Sequence, residues 1–230
     1  MQSSLRLSSY NVHGFVTRYG KHDPFEALSV VKDISADVVA LQEVSSSDRD
    51  SKILLDEFAD SNGYRLIFGP TFRRKTGDHY GNAILIRCSV EEVKLHDISH
   101  PTREPRGAIE AIIEYRSQKW QVLATHLGLS PNERRQQVKR LLQLITLSGC
   151  SHTVLMGDLN EWFTWGRPLR WLKSYFQIGH SKATFPAVWP IFALDRIWVH
   201  PSERISKAEV FKTPSSLVAS DHLPIVIEIA

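Results

Sequence analysis

The sequence predicts an α/β fold built around a substantial β-sheet. Segments with the two-residue period of strands are interleaved with segments of helical period along the whole chain. With 230 residues, 42% of them hydrophobic and 23% charged, the chain can bury a sizeable core. It has no repeat, low-complexity tract or linker, so residues 1–230 are expected to form one domain.

Each element has a local reason. Leu5–Val12 alternates as a strand. In "DPFEALSVVKDIS", Asp23 is placed as N-cap, Pro24 at N1 and Glu26 at N3, which starts a helix. "DVVALQEV" follows as a buried strand that ends in the polar pair Gln42 and Glu43. A helix over about Ser51–Asp60 stops near Gly63, and Tyr64–Phe68 resumes extended structure. "GNAILIR" reads as a strand, and "AIEAIIEY" and "WQVLATHL" as a hairpin turning around Arg116–Lys119. The clearest helix is "SPNERRQQVKRLLQLITLSG", with Ser130 as cap, Pro131 at N1 and Glu133 at N3. Val138, Leu141, Leu142 and Ile145 share one of its faces, and Gly149 ends it. "VLMG" is a short apolar strand, and further strands are expected at Phe192–Val199, Arg204–Lys212 and Leu223–Ile229.

Composition narrows the function classes. A net charge of +3 is compatible with an anionic ligand without demanding one. Cys88 and Cys150 form neither a metal-ligand pair nor a disulfide framework, which suits a reducing compartment. The start of the chain leads directly into a strand, and nothing resembles a signal peptide or a membrane span. The cytoplasm and a monomeric state are the default expectations.

Chemistry-bearing residues gather at strand ends. Asn11 ends the first strand and Glu43 the second; His126 closes "LATH"; Asp158 and Asn160 close "VLMGDLN". Asp195 lies in "FALDRIWV", and Ser220, Asp221 and His222 precede the final strand. Singly, each has an ordinary explanation as a turn residue, a core histidine or a salt-bridge partner. Together they need partners, because carboxylates and amides at apolar strand termini are costly to bury alone. Glu43 supplies a hard carboxylate and Asn11 a neutral oxygen, a set suited to Mg²⁺. The chain lacks zinc-ligand spacing, HExxH, a P-loop and a GxSxG elbow. What remains suits metal-assisted attack of water on a phosphate ester.

"SSYNVHG", "LQEV", "GNAILIR", "ATHLG", "MGDLNEW", "LDRIWV" and "SDHLPI", in this order from residue 5 to residue 229, resemble the endonuclease/exonuclease/phosphatase superfamily. The resemblance implies a DNase I-like four-layer α/β sandwich, with two packed mixed sheets, helices outside and an active site along one sheet edge. It also implies an Mg²⁺-dependent hydrolase of phosphate esters, with Mn²⁺ as a substitute and no covalent enzyme intermediate. By motif, Asn11 and Glu43 correspond to the metal site, with Asp221 as a further direct or water-mediated ligand. Asp158 would orient or deprotonate the attacking water and Asn160 would position it. His126 and His222 would hydrogen-bond the non-bridging oxygens, and Asp195 would fix and charge His222. One departure is His13, where some members carry an acid two positions after the first-strand Asn.

The superfamily spans nucleases, inositol phosphatases, sphingomyelinase-like enzymes and deadenylases, so the motifs do not choose a substrate. A phosphodiesterase or nuclease leads, with a lipid or inositol headgroup as alternative and a catalytically silent binding module as the rival class. Trp162, Phe163, Trp165, Phe185 and Trp189 could stack on bases, dip into a headgroup layer or pack beneath loops. Arg73–Arg74–Lys75 and Arg134–Arg135 could follow a phosphate backbone, the second equally well being a solvated helix face. Arg106, Asn82 and Trp162 are candidate substrate contacts.

Overall fold

The computed structural model describes residues 4–45, 49–73, 79–177, 179–180 and 182–230. In chain order its elements are β1 (Leu5–Asn11), α1 (Pro24–Ile34), β2 (Val38–Ser45), α2 (Arg49–Ser61), β3 (Arg65–Arg73), β4 (His79–Ile86), β5 (Ser89–Asp97), β6 (Gly107–Tyr115), β7 (Gln118–His126), α3 (Pro131–Ser148), β8 (His152–Asp158), α4 (Arg167–Phe176), β9 (Gly179–His180), β10 (Asp195–His200), β11 (Ile205–Val210), α5 (Ser216–Ala219) and β12 (Ile225–Ile229).

Strands buried on both faces must be apolar at successive positions, and "VVAL" of β2 has that character. The strands form two six-stranded sheets, ordered β11-β12-β1-β2-β4-β3 and β5-β6-β7-β8-β10-β9. Both are mixed, because β1–β2 and β7–β8 pair in parallel within otherwise antiparallel sheets. Leu5, Leu7, Val38 and Ala40 of the first sheet share a core with Trp120, Val122, Val154 and Met156 of the second. On the outer faces, Val39 and Leu41 pack with Val31 and Ile34 of α1 and Leu55 of α2. Leu123 and Leu155 pack with Val138, Leu141 and Ile145 of α3 and Leu169, Leu172 and Phe176 of α4. The result is the helix–sheet–sheet–helix sandwich that the motifs imply.

Several boundaries differ from the sequence reading. β5 was not foreseen: its largely exposed residues carry no apolar period, and it exists by pairing along β6. α4 was also missed, although Leu169, Leu172 and Phe176 lie on one helical face and Pro168 suits its first turn. The β6–β7 turn is tighter than expected, with only Arg116 and Ser117 between the strands, both at positive φ. β10 starts at Asp195, whereas Phe192 makes an isolated bridge with Phe185. Arg74 and Lys75 lie outside the described residues, as does the side chain of Arg73.

The parallel pairs bring polar strand ends together. Asn11 is level with Gln42 across β1–β2, and His126 with Asp158 across β7–β8. Antiparallel β10 begins where β8 ends, so Asp195 lies opposite Asp158. Gly157 permits this close approach: its φ is +149°, and a Cβ there would fall 1.8 Å from the Thr125 carbonyl oxygen.

Candidate active site

Asp158 is the buried centre of the site. Its Oδ1 accepts the Asn160 backbone N–H at 2.9 Å, and its Oδ2 accepts from Asn11 Nδ2 at 3.1 Å. The same Oδ2 lies 3.6 Å from His126 Nε2 and 3.8 Å from His222 Nε2. Asn11 belongs to the first sheet and Asp158 to the second, so this network joins the two sheets at the ends of their interior strands. Burial, and after it the charge of Asp195, pushes the Asp158 carboxyl above its ordinary pKa. The two imidazoles and the Asn160 N–H oppose this without cancelling it.

The two histidines are held differently. His222 Nδ1 lies 2.8 Å from Asp195 Oδ2, which also accepts from the Thr184 hydroxyl. Burial alone would lower the His222 pKa, but the charge and hydrogen bond of Asp195 raise it to about 10, making it an imidazolium at neutral pH. Burial pushes His126 the other way, below its ordinary value, with the charge of Arg106 adding to the effect. The Asn160 amide donates to Leu127 O at 2.8 Å and to His126 Nε2 at 2.9 Å, which leaves the proton of neutral His126 on Nδ1. As placed, His126 Nε2 accepts a hydrogen bond and does not offer an N–H to the site.

Glu43 and Asn160 both have left-handed backbone, at φ +58° and +49°. Glu43 sits in a bulge between β2 and β4, a device that re-aims a side chain out of the ladder. Glu43 Oε1 accepts from Asn11 Nδ2 at 2.9 Å. Burial would raise the Glu43 pKa, but His126, the Asn11 amide, the Tyr80 hydroxyl and His13 outweigh it and hold the carboxyl below its usual value. Its Oε2 lies 3.8 Å from His13 Nδ1, which is 3.5 Å from Asp221 Oδ1. Asn11 Oδ1 accepts the His13 N–H at 2.9 Å, and the Ser220 hydroxyl donates to the Asn11 carbonyl at 2.7 Å.

Glu43 keeps its charge in a partly enclosed pocket and, with Asn11 Oδ1 and Asp221, offers hard oxygen atoms, a donor set that fits a divalent cation such as Mg²⁺. Asp158, Asp195 and His222 form a tighter cluster, with ligand atoms within 4.8 Å of one another. There the Asp195–His222 hydrogen bond already engages both partners, and the geometry is that of a charged pair orienting an imidazole.

Over residues 8–222 the chain matches the model of the Endonuclease/Exonuclease/phosphatase family. It belongs to that family. The members of this family are generally hydrolytic phosphoesterases, and the network around Asp158 is composed of the motif residues. The Escherichia coli K12 protein named "Uncharacterized protein YbhP" is 28% identical, the match covering 99% of this chain and 97% of that protein. An endonuclease/exonuclease/phosphatase structure from Bacteroides vulgatus superposes with a TM-score of 0.79 at 16% identity, over 100% of this chain and 99% of the other. The human Nocturnin catalytic domain, solved with a bound sulfate anion, superposes with a TM-score of 0.73 at 18% identity, over 99% and 93% of the two chains. At these identities the two structures are likenesses of fold.

The three candidate substrate contacts are placed unequally. Arg106 is buried, with Nη1 3.0 Å from Glu104, and its charge is felt at His126. Asn82 Nδ2 donates to Gly107 O at 3.0 Å, and the Thr125 hydroxyl donates to the same oxygen, so Asn82 fixes the backbone beside Arg106. Trp162 lies at the rim, edge-on to Phe185 and Phe192. Arg134 is not on a solvated helix face: it is buried, with Nε 3.2 Å from Glu161 Oε2 and Nη1 bonded to Gly128 O and Leu129 O. Arg196 pairs with the Glu161 carbonyl and not, by hydrogen bond, with Asp195.

Sequence reasoning missed Thr184 and Tyr80. No local signal marks Thr184 in "KATFP". Tyr80 directly precedes "GNAILIR" on the strand paired with β2, which is where a partner for Glu43 could be sought.

Proposed function

We propose that this chain is an Mg²⁺-dependent phosphodiesterase that cleaves by in-line attack of water, its whole length acting as one catalytic domain. The observation that carries the proposal is the Asp158 carboxylate, buried between two imidazoles of opposite character, one of them charged by Asp195. Bound through Glu43, with Asn11 and Asp221 completing the set, Mg²⁺ would polarise a phosphoryl oxygen, and Mn²⁺ would substitute.

The chain's own groups account for the rest. Asp158, its pKa raised, orients a water and accepts its proton as the oxygen bonds to phosphorus; the ester bond opposite breaks and the leaving oxygen departs. Nε2–H of the His222 imidazolium donates to a non-bridging oxygen as charge builds there. Asn160 and neutral His126 hold each other and position the Asp158 loop.

Among the described residues no helix is long and apolar enough to cross a membrane. Cys88 and Cys150 are unpaired, which supports a cytoplasmic setting. Hydrolysis of bis-p-nitrophenyl phosphate tests the reading. Activity should require Mg²⁺ or Mn²⁺, vanish with EDTA and be lost in Asp158→Asn. Metal-independent hydrolysis, or no hydrolysis by the metal-loaded protein, would overturn it; the latter outcome would favour a binding module.

A further inference from the structure

Two loops at the rim of the site expose large apolar side chains. The segment after Asn160 presents Phe163 at 56% and Trp165 at 71% exposure, and the loop between Phe185 and Phe192 presents Val188 at 49%, Trp189 at 78% and Ile191 at 63%. Trp162 joins the loops, its ring centroid 4.7 Å from Phe192 and 5.9 Å from Phe185. Phe185 in turn lies 4.7 Å from the His222 ring, so the rim is built onto the charged imidazole of the site. Scattered apolar side chains are normal on a surface, but five of this size on two adjoining loops form a patch.

The patch has a basic flank. Phe163 and Trp165 line a cleft of about 290 Å³ together with Arg135, Arg167 and Arg170. Glu161, which also lines it, is engaged by Arg134 at 3.2 Å. Arg167 and Arg170 are exposed, and among the described residues no carboxylate lies within ion-pair distance of Arg135, Arg167 or Arg170. Aromatic and aliphatic side chains beside these arginines match a surface with an apolar interior and anionic headgroups.

We propose that this aromatic and arginine rim seats the protein on an anionic phospholipid surface. The catalytic pocket then meets phosphodiesters at headgroup depth, a consequence for the substrate that rests on the phosphodiesterase reading above. A single-stranded nucleic acid is the poorer match, because Val188 and Ile191 have no ring on which a base can stack. A second copy of the chain across a two-fold axis is also poorer, because such an interface would bring like arginine clusters together.

The test is co-sedimentation of the metal-free protein with phosphatidylcholine vesicles, with and without phosphatidylglycerol, alongside tryptophan emission. Binding should require phosphatidylglycerol, shift emission to the blue and weaken with salt. Trp165→Ser/Trp189→Ser should lose the shift, and Arg167→Glu/Arg170→Glu should weaken binding by about tenfold or more. Both variants should hydrolyse soluble bis-p-nitrophenyl phosphate at the wild-type rate, which shows that they fold and separates failure of docking from failure of the catalytic reading. Absence of vesicle binding by the wild type would overturn the proposal. So would binding to a single-stranded oligothymidylate, or self-association in sedimentation, that the tryptophan variant abolishes while vesicle binding persists.

Discussion

Asp158 is the residue at which a turn and a catalytic carboxylate make opposite forecasts. Asp158→Asn should lower turnover by about 10²–10⁴, the range for a positioned acid–base group. Its melting temperature should not fall, because the substitution removes a buried charge that faces Asp195. Single-turnover kinetics and thermal melting on one sample check this; wild-type turnover would make the position a turn. His222 yields a prediction in pH. Its folded pKa of about 10 lies above the 6.5 of a free imidazole, so the proton stabilises the fold. That stabilisation is fully present below pH 6.5 and is lost as pH rises from there through about 10. Melting of the chelated protein should therefore weaken across this window, and Asp195→Asn should flatten that dependence. An unchanged pH profile in Asp195→Asn would leave Asp195 a merely structural partner. These residues were legible because carboxylates, amides and imidazoles recur at the ends of apolar runs. Their protonation was not legible, since burial sets His126 and the charge and hydrogen bond of Asp195 set His222 only once the strands are packed.

At the scale of elements, the parallel β7–β8 pair carries the largest constraint. Ala at position 157 would place a methyl group against the Thr125 carbonyl, which is backbone and cannot swing aside. Gly157→Ala should cost about 3 kcal/mol, lowering the melting temperature by roughly 6–12 °C and displacing Asp158. Denaturation and activity of the same variant check this; a wild-type melt would mean that the ladder can open there without penalty. α3 is tied to the site by polar contacts: Gln137 accepts the Gly128 N–H, and Arg134 holds the Leu129 carbonyl and Glu161. Arg134→Ala would leave Glu161 buried without this partner, and should destabilise by about 3–5 kcal/mol in chemical denaturation. The capping residues and apolar face of α3 announced this helix, but the buried role of Arg134 did not show. A basic pair on a polar helix looks solvated until its neighbours are placed. β5 was hidden for the complementary reason, because its conformation is supplied by pairing with β6.

The whole molecule is two sheets whose interior strand ends share one polar network, so metal binding should report on both. Mg²⁺ near one hundred times its dissociation constant would stabilise the fold by about 2.7 kcal/mol, an effect that EDTA reverses. Glu43→Gln should abolish this thermal shift while leaving the metal-free melt close to wild type; a retained shift would remove Glu43 from the ligand set. By itself the sequence determined the α/β class, the starts of α1 and α3, the order of the motifs and the residue types available for phosphate-ester chemistry, because periodicity, capping and strand-end polarity are local properties. Only the tertiary structure decided that Asn11 would reach Asp158, that Asp195 would charge His222 while His126 stayed neutral, and that two aromatic loops would adjoin at Trp162. Those outcomes depend on sheet packing, burial and through-space charge, and each joins groups that are distant along the chain.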